Sequence, residues 1–165
     1  MNKWFSFVLA ALLLCGCSAQ PVFETVEDVD VLPASATVRQ IKLDLPKEAA
    51  KPVMQSDDGD RLYLCDGYTL TVQTLSGGDL DRTFRQITGY SHSQLQPVRS
   101  KSSDAVRYDV AWTAAGEGSD QIARAVILDD GFYHYAVSVM ADAQIAGSLQ
   151  NQWKIVLGSV SLRTD

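Results

Sequence analysis

Beyond residue 50 the chain alternates apolar and polar residues, which is the period-two pattern of half-buried β-strands. Asp-Gly pairs, which favour tight hairpin turns, separate several of these stretches, as at Asp66-Gly67 and Asp130-Gly131. Short connections of this kind join antiparallel neighbours. The predicted strands are 53–55, 61–65, 68–73, 106–113, 122–128 and 132–140.

Two stretches have helical spacing instead. Asp79 can cap a helix that carries Leu80, Phe84 and Ile87 on one face and ends at Gly89. Asp142 can cap a longer helix with apolar residues three or four positions apart, namely Ile145, Leu149, Trp153, Val156 and Val160. A short strand at about 159–162 follows. The order predicts an α+β domain in which an antiparallel sheet of about six to seven strands packs with two helices.

The segment 17–46 has a different composition. It contains prolines and an acidic patch made of Glu24, Glu27, Asp28 and Asp30, which is typical of a tether. Within it, Ile41, Leu43 and Leu45 alternate with polar residues and predict a short strand. We therefore expect an acidic tether over 17–46 and a single α+β domain over 47–165.

Residues 1–16 have the layout of an export signal, with Lys3 before an apolar run that ends at Leu14. The run is too short to span a membrane, which takes roughly 20 apolar residues. The next residues, Leu14-Cys15-Gly16-Cys17, resemble the lipobox of bacterial lipoproteins. That resemblance implies cleavage between Gly16 and Cys17 and acylation of the Cys17 thiol. The alternative is an ordinary signal peptide cleaved near Ala19, which also exports the chain.

Charge narrows the range of partners. The formal net charge is −6, and loss of the signal with Lys3 makes it −7. An acidic domain is repelled by nucleic acid and by anionic lipid headgroups, so neither is an expected direct ligand. The expected contact with the membrane is the lipid at Cys17, on the extracytoplasmic face of the cell membrane or of an outer membrane.

The C-terminal third resembles the Mog/PsbP-like superfamily. The resemblance lies in the hairpin 126–135, the helix around Trp153 and the final stretch 158–162. It covers roughly the last hundred residues as a pattern of elements. It implies an α-β-α sandwich whose members bind proteins, and sometimes metal ions, rather than catalyse. No functional residue of that superfamily is carried over to this chain.

Catalytic and metal-binding patterns are sparse. No Gly-x-Ser-x-Gly motif occurs, and the two histidines, His92 and His134, are expected in a solvated loop and on a strand respectively. Cys65 lies in an apolar stretch and is expected to be a core thiol. The acidic turn 57–60 lacks the spacing of a calcium loop and is more typical of a hairpin turn. We therefore expect no enzymatic activity, cofactor or metal.

Binding of another envelope component is the function that these exclusions favour. Tyr63, Tyr90 and His134 are the candidate residues of a binding face, on the condition that they are exposed. A protein partner is favoured, for which a flat apolar patch would be evidence. A solute- or metal-binding lipoprotein is the alternative, for which an enclosed polar pocket would be evidence. A hydrolase is the third hypothesis and requires a cleft with a histidine beside a serine or Cys65.

Overall fold

The computed structural model describes residues 23–27, 38–102, 104–116 and 118–163. The predicted signal peptide, Cys17 and part of the predicted tether lie outside these residues. In chain order the strands are β1 (Phe23–Glu27), β2 (Ile41–Pro46), β3 (Met54–Gln55), β4 (Arg61–Cys65), β5 (Tyr68–Ser76), β6 (Val98–Lys101), β7 (Val106–Ala115), β8 (Asp120–Asp129), β9 (Tyr133–Asp142) and β10 (Ser161–Leu162). The α-helices are α1 (Leu80–Thr88), α2 (His92–Leu95) and α3 (Ala143–Ser159), and a 3-10 helix spans Lys47–Ala49.

The fold is α+β, as predicted. Seven strands form an antiparallel sheet in the order β3-β4-β5-β9-β8-β7-β6. The hairpins turn where the Asp-Gly pairs predicted, because Gly59 and Gly67 have φ angles of 85° and 79° that other residues rarely adopt. Strand β6, which follows Pro97 and forms one edge of the sheet, was not predicted.

Helix α1 begins and ends at the predicted caps. The Asp79 carboxylate accepts a hydrogen bond from the main-chain N–H of Arg82 at 3.0 Å, and Gly89 closes the helix in the left-handed conformation. Phe84 is fully buried on the inner face of the helix. Its contacts with Tyr108, Val110 and Trp112 form a core between α1 and one face of the sheet.

Helix α3 covers the opposite face. Trp153 and Val156 are 0% exposed against a core that includes Tyr68 and Val137. The predicted apolar stripe is wrong at Ile145, which is 42% exposed because it lies in the first turn of the helix, beside the β4–β5 turn. In the described part of the chain, no helix is long and apolar enough to cross a membrane.

A second, three-stranded sheet has the order β1-β2-β10 and is also antiparallel. Its central strand is the one that the alternation around Leu43 predicted. Ile41, Leu43 and Leu45 are at most 1% exposed and belong to the core under α3. The core therefore includes a strand from the segment 17–46 that we interpreted as a tether.

Candidate functional site

Two of the three residues predicted for a binding face lie inside the molecule. Tyr63 and His134 are each 1% exposed, so their assignment to a surface is wrong. Both lie on the expected faces of their strands, but each face is covered. Tyr63 belongs to the core that β2 and α3 share with the sheet, and α1 lies over His134. Tyr90 is 39% exposed, and its hydroxyl donates to the main-chain oxygen of Thr113 at 3.0 Å.

The buried His134 makes polar contacts in the interior. Its Nδ1 atom lies 2.6 Å from the Thr83 hydroxyl, and its Nε2 atom lies 3.7 Å from a carboxylate oxygen of Asp129. Burial lowers the pKa of the imidazole, against the opposing effect of Asp129. Thr83 is only 3% exposed, and the hollow beside it holds about 80 Å³, which is small for a substrate. This hydroxyl–imidazole pair therefore connects α1 to β9 rather than facing a cleft.

The other candidates for nucleophilic chemistry lie apart. Cys65 is half buried on the α3 side of the sheet, where burial raises the pKa of its thiol. His134 lies on the opposite face of the sheet. On β5, which lies between them, Cys65 pairs with Tyr68 and His134 pairs with Leu75. These two positions are seven residues apart, or about 23 Å along the strand. The geometry therefore does not form a Cys–His pair from Cys65 and His134.

His92 is not the solvated loop residue that the sequence predicted. It begins α2 and is partly buried, with its ring edge-on to Phe84 at 5.0 Å and to Tyr108 at 6.1 Å between centroids. Its main-chain N–H donates to the Asp81 carboxylate at 2.8 Å. The ring thus closes the aromatic core under α1 and α2 and also lies on the opposite face of the sheet from Cys65.

Two adjoining concave features of the described surface lie at one end of the sheet, beside β6. We call one of these features the edge cleft; it holds about 290 Å³, and its lining includes Ser100, Lys101, Arg107, Leu128, Val160 and Leu162. An adjoining hollow, also of about 290 Å³, shares Lys101 with the edge cleft and extends to Asp129 and Asp130. Both are open to solvent; the edge cleft lies where β6, β8 and β10 approach one another, and the adjoining hollow lies between the β6–β7 turn and the β8–β9 turn.

Ion pairs and hydrogen bonds fix the walls of the edge cleft. The Arg107 guanidinium binds both carboxylate oxygens of Asp109 at 2.8 Å and donates to the main-chain oxygen of Leu157 at 2.9 Å. It thereby joins β7 to the last turn of α3, where a cation is favoured by the helix dipole. The charge of Arg107 is thus committed to the fold.

A second connection closes the end of the cleft. The Arg39 guanidinium lies 3.0 Å from Asp104 in the β6–β7 turn, and this contact lowers the pKa of the Asp104 carboxyl. The main-chain N–H of Arg39 donates to the Tyr135 hydroxyl, which in turn donates to Asp130, both at 2.9 Å. Side chains from three separate parts of the chain therefore hold this end of the sheet together.

Strand β6 forms the outer rim of the cleft, and all four of its residues are exposed. Val98 and Ser100 point to the α3 side, whereas Arg99 and Lys101 point to the other side, as their pairing with β7 requires. Within the described residues, neither Arg99 nor Lys101 has an ion-pair partner. The alternation of uncharged and cationic residues in 98–101 after Pro97 is a weak sequence signal for this strand, because it forms no apolar face.

Comparison with known proteins supports the fold but assigns no family. No protein-family model matches the sequence. No curated protein matches it significantly either. A structure from Bacteroides thetaiotaomicron VPI-5482 superposes with a TM-score of 0.51 at 12% identity, over 76% of this chain and 46% of that one. This chain thus spans less than half the length of the Bacteroides chain.

A second structure matches over most of both chains. LpqN of Mycobacterium tuberculosis, which is involved in cell envelope biogenesis, superposes with a TM-score of 0.51 at 10% identity. The match covers 86% of this chain and 92% of LpqN. At these identities the two likenesses concern the fold alone. The lipobox and the Mog/PsbP-like resemblance stay predictions.

Metal-binding side chains do not converge at the edge cleft. Across 38–163, leaving aside Ser103 and Glu117, no three His, Cys, Asp or Glu side chains are grouped so that they could hold a metal ion. The acidic residues near the cleft already have partners, since Asp104 pairs with Arg39 and Asp130 accepts from the Tyr135 hydroxyl. The cleft therefore offers main-chain, serine and apolar groups, and Lys101 lies at its rim.

Proposed function

We infer that this chain is a lipid-anchored, non-catalytic module of the cell envelope that binds a protein partner at the edge cleft. The observation that carries the proposal is the exposed edge strand β6 bordering a concave surface. An edge strand presents unpaired main-chain groups, and such edges are used to bind other chains. The likeness of the fold to that of LpqN is compatible with a role at the envelope.

The absence of catalysis is part of the proposal and rests on the described geometry. Thr83 and His134 are buried, and Cys65 lies on the other face of the sheet from both histidines. A reaction at the edge cleft would have to use serine or lysine side chains without a neighbouring base that the structure identifies. Binding requires only the surface that is present.

The binding proposal is tested by photo-crosslinking in the native cells. A photoreactive amino acid at Val98, which is 69% exposed, should capture a specific protein, whereas the same amino acid at Ile155, which is 47% exposed on α3, should not. The captured protein is then purified and its affinity for this chain is measured. A partner captured equally from both positions, or without affinity in solution, would contradict the proposal.

A cleft-filling pair of variants tests the location of the binding site. Ser100→Trp fills the edge cleft, and Ser148→Trp adds the same side chain to the exposed face of α3. We expect only the first to weaken binding of the partner. The alternative is a solute-binding protein, and the cleft volume of about 290 Å³ supports it. That alternative would be favoured if Ser100→Trp weakened binding of a small envelope solute and left binding of the protein partner unaffected.

The anchor is tested by fractionation. Cys17→Ala should move the protein from the membrane to the soluble fraction, because the thiol that accepts the lipid is lost, and two or three acyl chains make anchoring stable. Cys15→Ala is the matched control, since Cys15 leaves with the signal peptide and the variant should stay at the membrane. Membrane retention of Cys17→Ala would show that the lipobox prediction is wrong.

A further inference from the structure

The outer side of β6 has no strand beside it among the described residues. In the sheet order β6 is terminal and pairs only with β7, over Val98–Lys101. The main-chain N–H and C=O groups that point away from β7 therefore face solvent, in the spacing that another extended chain requires. The sequence places four residues here, which is long enough to align a segment of a partner.

The charges on β6 determine which kind of partner segment can pair with this strand. Arg99 and Lys101 lie on one side of the strand, without an ion-pair partner in the part of the chain that the structure describes, and the net charge of the chain is −6. Like charges directly opposite each other on adjacent strands are destabilising, and opposite charges are stabilising. A second copy of β6 is therefore repelled at this edge, whereas acidic residues opposite Arg99 and Lys101 are attracted.

The other side of β6 leads into the edge cleft. Ser100 is small, and beyond it lie Leu128, Val160 and Leu162, each at most 7% exposed. A long apolar side chain placed opposite Ser100 can pass over the serine and enter the cleft. Exposed Val98 offers a second apolar contact on the same side.

We propose that the partner contributes an extended segment in which acidic and apolar residues alternate, and that this segment adds to β6 as an eighth strand of the main sheet. This inference rests on the proposed function and specifies the chemistry of the partner. Carboxylates lie opposite Arg99 and Lys101, and an apolar side chain opposite Ser100 occupies the edge cleft. Main-chain hydrogen bonds supply affinity, and the alternating side chains supply specificity.

The opposite edge of the sheet does not fit this segment. Strand β3 has only two residues, and the adjoining turn carries Asp57 and Asp58, both exposed. Short edges and like charges both oppose strand addition. The proposal therefore places the acidic segment at β6 alone.

The charge requirement is tested with the full-length protein in detergent and a fluorescent peptide of about eight residues in which glutamate alternates with leucine or valine. The Arg99→Glu, Lys101→Glu double variant should bind the peptide at least about tenfold more weakly than the wild type. Arg82→Glu, Lys154→Glu is the matched control, because it makes the same charge change at other exposed positions. Equal losses in both double variants would overturn the proposal.

Strand addition is tested by N-methylation of the peptide. In a strand only alternate amides face the neighbouring chain, so methylation of one alternating set should abolish binding, and methylation of the other should leave it intact. Amide hydrogen exchange of residues 98–101 should also slow when the peptide binds. Binding that is insensitive to which set is methylated would overturn strand addition.

The outcomes separate this inference from the proposed function. If Val98 crosslinks a specific partner but the alternating peptide shows no charge or methylation dependence, the partner binds at the cleft in another way and only the strand-addition proposal fails. If the peptide binds as a strand but no partner is captured in cells, the chemistry of the edge is right and the envelope function is wrong.

Discussion

At the scale of single residues, His134 is a polar side chain that the fold buries almost completely. Alternation along β9 correctly placed it opposite Tyr133 and Tyr135, on the second face of the sheet. Alternation does not reveal whether that face is covered, and here α1 covers it, with Thr83 as the hydrogen-bond partner. The pairing depends on residues 51 positions apart, which no local pattern contains.

The lowered pKa of His134 predicts a pH dependence of stability. The unfolded imidazole titrates near pH ~6.5, and the native one at lower pH, so the unfolded state binds more protons between these values. The contribution of His134 to the free energy of unfolding should therefore be fully present above pH ~6.5. It should decrease as the pH falls from there to the lower pKa of the native state.

Urea denaturation at about pH 7.5 and pH 5.5 measures this effect. His134→Gln should reduce the difference between the two conditions, because its amide does not titrate. Thr83→Val keeps the imidazole and should retain the difference while losing stability at both pH values. An unchanged difference in His134→Gln would assign the pH dependence to other groups.

Two glycines predict opposite responses to the same substitution. A Cβ atom on Gly77 would lie 2.6 Å from the main-chain oxygen of Phe132, and the N–H of Gly77 donates to that oxygen at 2.9 Å. Gly77→Ala should therefore destabilise the protein by about 1–3 kcal/mol. Gly147→Ala, in open space on α3, should stabilise it by up to about 1 kcal/mol. Thermal unfolding compares them, and destabilisation by both would contradict the steric explanation.

At the scale of elements, the strands and the two longer helices could be predicted because their signals are local. Asp79, Gly89 and Asp142 mark helix ends through hydrogen bonds that they make within a few residues. Strand β6 could not be recognised as readily, since none of its residues is buried and its sequence lacks an apolar face. The candidate site was missed for the same reason.

The face of α3 that packs on the sheet gives a prediction at this scale. Trp153 is fully buried against Tyr68, with ring centroids 6.2 Å apart, whereas Ile155 is 47% exposed on the same helix. Trp153→Ala should cost about 3–5 kcal/mol of unfolding free energy through cavity formation. Ile155→Ala should cost less than about 1 kcal/mol. Chemical denaturation gives both values, and similar costs would show that α3 is not anchored by this face.

At the scale of the whole molecule, the sequence predicted the α+β fold class but not the second sheet, β1-β2-β10. The alternation at Ile41 to Leu45 and the short final strand were both recognised, yet nothing local shows that β2 and β10 pair with each other. The edge cleft depends on this pairing, because Leu162 and Val160 form part of its lining. Sites built from distant segments are the part of the structure that the pattern could not supply.

The contribution of β2 to the core predicts where the folded unit can be shortened. A chain that begins at Val38 retains Ile41, Leu43 and Leu45 and should fold with a cooperative transition. A chain that begins at Lys47 loses all three, at about 2–5 kcal/mol for each buried aliphatic side chain, against a typical total of about 5–15 kcal/mol. It should not fold cooperatively in urea titrations followed by circular dichroism. Equal stability of the two chains would show that β2 is dispensable.

The pairing of β2 with β10 also sets an order in time. During synthesis from the N-terminus, Ile41 emerges 121 residues before its partner Leu162. The hairpins of the main sheet can form from neighbouring residues during that interval, but among the described strands one side of β2 has no partner until β10 has been synthesised. The edge cleft therefore cannot be complete before Leu162 has been synthesised, so the binding surface is displayed only by chains whose synthesis has passed that residue.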